Sequence, residues 1–159
     1  MTGPVDRVLL QSYLGDHLAG AVGGSARFAR MADAYARTPL GPALARVARQ
    51  VADERDWLRE TAHRLGVQPS VLKRVGIAVT ERVGRLKPNG RLVRRSPLSD
   101  LVEVEAGLDA LHAKAAGWAA LRAVPGLDAT VDLDDLERRA EGQVARIGAV
   151  HATVAAAVL

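Results

Sequence analysis

Four histidines, at positions 17, 63, 112 and 151, and eighteen acidic side chains are the groups with chemistry to offer, and cysteine is absent. That absence removes disulfides, thiolate metal sites and thiol nucleophiles. The informative polar groups are those on or beside an apolar stripe of helical period. Glu54 lies on the stripe Leu40, Leu44, Val47, Val51, Leu58, Ala62, Leu65. His17 lies on Leu10, Leu14, Ala21, Gly24, Phe28, Met31, Tyr35. Glu105 and His112 flank Leu101, Val104, Leu108, Leu111, Ala115, Trp118, Ala119. Gln143 and His151 flank Leu133, Leu136, Ala140, Val144, Ile147, Val150, Val154, Val158. Counted from the short turns, Glu54 is expected at the level of His112 and Gln143. His17 is expected to face the second helix near Glu60, and Glu105 to neighbour His151. Carboxylate and imidazole together suit zinc, iron or manganese. The candidate metal ligands are therefore Glu54, His112, His17, Glu105 and His151, with Gln143 beside them. Glu54 and His112 are also an acid–base pair in principle. The competing expectation is a buried polar network with no metal, in which these groups satisfy one another.

Four long helices must position these residues. The first is predicted from about Val5 to Arg37, with Gly15, Gly20, Gly23 and Gly24 lowering its intrinsic helix preference. Thr38-Pro39 reads as a cap and first-turn proline for the second, which Gly66 closes. The third is predicted from about Leu98 to Ala123, after Ser96-Pro97, and the fourth from Asp132, with Asp134, Asp135 and Glu137 at its positive end. A weaker helix is predicted from Pro69 to about Leu86 inside a long connection. Two antiparallel hairpins joined by that crossover make an all-α four-helix bundle in one domain, with an additional helix in the crossover. A crossover running the length of the bundle makes the second and third helices parallel; a helix packed across the end makes them antiparallel.

The net charge of +4 is unevenly spread. Residues 66–99 carry eight basic and one acidic side chain, while residues 100–159 carry five basic and ten acidic. Arg82, Arg85, Lys87, Arg91, Arg94 and Arg95 are candidate anion-binding residues, for nucleic acid or an anionic membrane. No aromatic residue interrupts this segment, which removes base stacking from its repertoire. The competing expectation is that the basic segment covers the acidic C-terminal half. The N-terminus is a poor signal peptide and the apolar C-terminus is short for a bilayer span, so a soluble, cytoplasmic protein is expected.

The helix order, the long crossover and the inward carboxylate and histidines resemble a ferritin-like bundle. That family places a glutamate on two helices and Glu-x-x-His on the other two. Here Glu54 precedes Trp57 by three, Asp109 precedes His112, and neither Glu137 nor Glu141 has the histidine. The literal match, Glu60 with His63, falls on the outer face. The resemblance implies a ferritin-like fold with a degenerate metal site. The function expected from it is non-catalytic, through self-association as a homo-oligomer such as a dimer, or through a protein partner, with no cofactor. The alternatives are a metal-binding bundle with oxidative activity and an anion-binding crossover.

Overall fold

The computed structural model describes residues 6–67, 96–127 and 131–159. They form helices α1 (Arg7–Ala34), α2 (Gly41–Arg64), α3 (Pro97–Leu121) and α4 (Leu133–Val158), with no strand among the described residues. The all-α expectation holds for them. The helix predicted at 69–86 and the basic candidates Arg82, Arg85, Lys87, Arg91, Arg94 and Arg95 lie outside the described residues. No described helix is long and apolar enough to cross a membrane.

Local chemistry sets the ends. The Asp6 carboxylate accepts from the amides of Val8 and Leu9, the Ser96 hydroxyl from Leu98, and the Asp132 carboxylate from Asp135. Each satisfies an amide that the first helical turn leaves unpaired. Gly66 has φ +79°, and Val67 N–H returns to the Ala62 carbonyl, closing α2 in the left-handed cap that glycine favours. The start of α2 differs from expectation. Thr38 caps a turn, accepting from Leu40 N–H and donating to the Tyr35 carbonyl, and the helix begins at Gly41 with Pro42 in its first turn. Gly41 is needed there because a Cβ would lie 2.6 Å from the Tyr35 carbonyl oxygen.

α1 pairs with α2 and α3 with α4 as two hairpins. The Gln11 side chain donates to the Gly66 carbonyl at 3.0 Å, tying the start of α1 to the end of α2. Arg122 donates to Glu137 at 2.8 Å and also pairs with Asp134, across the turn from α3 to α4. The hairpins meet through α1 against α3 and α2 against α4. Phe28 and Met31 lie at Gly107, while His17 lies at Gly117, so α1 and α3 are antiparallel. With α1 antiparallel to α2 as well, α2 and α3 run parallel on one diagonal. Of the two topologies open to the sequence, the bundle has the parallel one. α2 therefore ends, and α3 begins, at opposite ends of the bundle.

The core is divided. At one end Leu14, Leu18, Leu58, Ala62, Trp118, Leu121, Leu136 and Ala140 pack together. At the other end Phe28, Met31, Leu44, Val47, Val51, Leu101, Leu111, Ile147 and Val150 do so. Each large aliphatic side chain fully buried in these clusters contributes roughly 1.5–3 kcal/mol. Between them every helix changes character: Ala21 and Gly24 on α1, Glu54 on α2, Lys114 on α3, Gln143 on α4. Gly23 borders this level, and a Cβ there would meet nothing within 4 Å. Gly23→Ala is therefore expected to raise stability by about 0.5–1 kcal/mol, through helix preference alone. Urea denaturation reads this directly; a loss of stability would mean that another surface packs on Gly23.

Candidate functional site

The dividing layer is built by three side chains from three helices. Glu54 and Gln143 are 3% and 0% exposed. The Gln143 amide Nε2 donates to Glu54 Oε1 at 2.8 Å. The Lys114 ammonium donates to Glu54 Oε2 and to Gln143 Oε1. A buried carboxylate is costly unless it is paired and hydrogen-bonded, and here both conditions are met. Burial pushes the Lys114 ammonium below the usual lysine range, and the charge and hydrogen bond of Glu54 oppose that push. Two of the three ammonium hydrogens are thus directed at the layer, and one remains.

Beside this layer is a cavity of about 120 Å³ between α1 and α3. Its wall includes Leu14, His17, Ala21, Phe28, Leu58, Leu111, Lys114 and Trp118. The space exists because Gly20, Ala21 and Gly24 supply almost no side chain where α1 passes Lys114. The Trp118 indole Nε1–H is buried and has no hydrogen-bond partner. Such a donor pairs readily with a ligand or water that reaches it. Trp57 packs edge-on against Trp118, with ring centroids 5.4 Å apart. The His17 ring is tilted 53° against Tyr13, with ring centroids 4.3 Å apart, and Gly117 makes room for it: a Cβ at 117 would lie 2.8 Å from His17 Cε1.

Burial holds the His17 imidazole below its usual 6.5, with the Asp16 charge opposing. An unfolded chain therefore takes up a proton near pH 6.5 that the folded chain refuses. In that window the unfolded state binds more protons, so stability rises with pH and is lost as pH falls below about 6.5. Urea midpoints at pH 7.5 and pH 5 are expected to differ more in the wild type than in His17→Gln. Equal differences in the two proteins would contradict a neutral, half-buried His17.

The structure rearranges the candidate set. Glu54 and Gln143 meet as expected, but His112 is exposed and does not join them. Its place is taken by Lys114, and the Glu54–His112 acid–base pair is not formed. His17 turns to Gly117 and the cavity, not to Glu60, which is exposed along with His63. Glu105 and His151 are neighbours, 3.4 Å apart, on the outside of α3 and α4. Among the described residues no three His, Cys, Asp or Glu side chains converge to hold a metal ion. The buried donor set is one carboxylate and one amide, both already held by an ammonium, and this does not fit a divalent metal.

Lys114 and Ser25 are the residues that the stripe reading passed over. Ser25 is buried and accepts from Arg55 Nη1 at 3.1 Å. The signal for Lys114 was its spacing: Val104, Gly107, Leu111, Lys114, Trp118 and Leu121 alternate by three and four. A lysine among them reads as surface, and glycine carries no weight in an apolar pattern. Comparison with protein-family models, with curated proteins and with solved structures finds no match to this chain.

Proposed function

We propose that the chain is a non-catalytic binding protein whose partner is a small, neutral, mostly apolar molecule with one hydrogen-bond acceptor. The observation that carries this reading is the cavity between α1 and α3. At about 120 Å³ it is somewhat smaller than the ~150 Å³ apolar cavity known to hold benzene. Its lining calls for an apolar body. The third Lys114 hydrogen calls for one acceptor. Neutrality follows from charge: Glu54 and Lys114 already compensate each other, and Arg55, also in the wall, is paired with Asp56.

The same reading keeps the ferritin-like resemblance of the fold. Parallel α2 and α3, with the end of α2 and the start of α3 at opposite ends, suit a bundle with one long crossover. In this reading Lys114 supplies the positive charge that a metal would supply beside a core glutamate.

The test is a titration followed by fluorescence. Both tryptophans of the protein stand at this cavity, one in its wall and one against it. Isobutanol is expected to change the emission saturably, and isobutyrate of the same shape is expected not to. Ala21→Leu, which fills the cavity, abolishes the change. Emission unchanged by isobutanol, or isobutyrate binding as well as the alcohol, would count against the proposal.

A further inference from the structure

We infer that Lys114 is a covalent anchor for a small aldehyde, held as an iminium inside the cavity; this deepens the small-molecule reading and rests on it. Three observations converge. Lys114 lines a mostly apolar cavity, with Glu54, Arg55 and His17 as the other ionisable groups in its wall. Its amine nitrogen is hydrogen-bonded to the Glu54 carboxylate, which is placed to take a proton from it. Lys114 is the only lysine among the described residues, and the whole chain has two others, Lys73 and Lys87. Burial also lowers the proton affinity of this amine, as buried nucleophilic lysines require.

The step balances without any outside redox partner. The Lys114 ammonium gives one proton to Glu54, and the freed nitrogen lone pair attacks the aldehyde carbon. The carbonyl π electrons move to oxygen, which takes up the proton released from nitrogen, giving a neutral carbinolamine. Glu54 then returns its proton to the hydroxyl, the carbon–oxygen bond breaks, water leaves, and the nitrogen lone pair forms the carbon–nitrogen double bond. Ammonium plus aldehyde become iminium plus water, and Glu54 ends as a carboxylate. One positive charge is present beside Glu54 before and after. That conservation selects the ligand class. Acylation of Lys114 would erase the charge and strand a buried carboxylate, whereas an iminium keeps the pair intact. The cavity volume selects the size, a branched aliphatic chain of four or five carbons or a single small ring.

The experiment treats the full chain with isobutyraldehyde and cyanoborohydride near neutral pH, which reduces an iminium to a stable secondary amine. Peptide mapping then locates the label. Lys114 is expected to carry at least about tenfold more than Lys73, Lys87 or the N-terminal amine, the margin given by a bound, oriented carbonyl. Lys114→Arg keeps the cation beside Glu54 but has no nucleophilic amine, and it is expected to lose the fast label. Glu54→Gln is expected to slow labelling at Lys114 by about tenfold or more through loss of the proton carrier. Equal labelling of all lysines overturns the anchor, and so does an unlabelled Lys114 in a protein that binds isobutanol. An unlabelled Lys114 in a protein that binds no isobutanol overturns both the anchor and the small-molecule reading.

Discussion

Lys114→Met lowers the stability of the bundle by about 3–5 kcal/mol, the usual cost of removing one partner of a buried ion pair. Glu54 is only 3% exposed and its two oxygens are held by Lys114 and by the Gln143 amide. Without the ammonium, the buried carboxylate is left with no charge partner. Methionine fills the space of the lysine stem, so the loss reports the charge and not a void. The companion variant Glu54→Gln/Lys114→Met has no charge in the layer and is expected to regain most of the loss. The coupling between the two sites is then at least about 2 kcal/mol, well outside the additivity of independent positions. Urea denaturation of the two single variants, the double variant and the wild type completes the cycle. Small, additive effects would place Glu54 and Lys114 in water.

Phe28→Ala also costs about 3–5 kcal/mol, and here a ligand gives part of it back. Phe28 is 1% exposed and closes one end of the cavity, packed against Gly107, where a Cβ would lie 3.3 Å from its Cζ. Truncation joins the space of the lost ring to the existing cavity. A larger neutral molecule such as toluene then fits where it did not before. A ligand at a hundred times its dissociation constant stabilises by about 2.7 kcal/mol. Thermal denaturation with and without toluene is the measurement. The midpoint of Phe28→Ala is expected to rise well above the shift seen in the wild type. Equal shifts would mean that the ring does not border the void.

The elements were legible because their signals are local. Ser96 and Asp132 cap helices, Gly66 closes one with positive φ, and the stripe Leu44, Val47, Val51, Glu54, Leu58, Ala62 is buried throughout. α1 was harder. Its buried line passes through Leu14, Leu18, Ser25 and Phe28, whereas the sequence reading ran through His17 and Gly24. Around residues 19–24 the helix offers only alanine, glycine and one valine, so no large side chain marks the inner face. The rotation is set by Leu18 and Phe28 on either side. The same small residues that blurred the pattern create the cavity, so the site hid in the least informative part of the stripe. His112 was misplaced for a related reason. It sits beside Leu111 in sequence, but one residue is 100° on a helix, and the inward position is Lys114, three residues on. The direction of α3 relative to α2 depends on the connection between them, and its length allowed both.

The two indole N–H resonances of the protein, from Trp57 and Trp118, offer the most direct view of the cavity. On adding isobutanol, the Trp118 Nε1–H signal is expected to shift and saturate because the Trp118 ring lines the cavity, while the Trp57 signal moves less. Isobutyrate at the same concentration is expected to leave both in place. A Trp118 resonance that ignores isobutanol, or that follows the charged and neutral molecules alike, would contradict a neutral-ligand cavity beside the Glu54–Lys114–Gln143 layer.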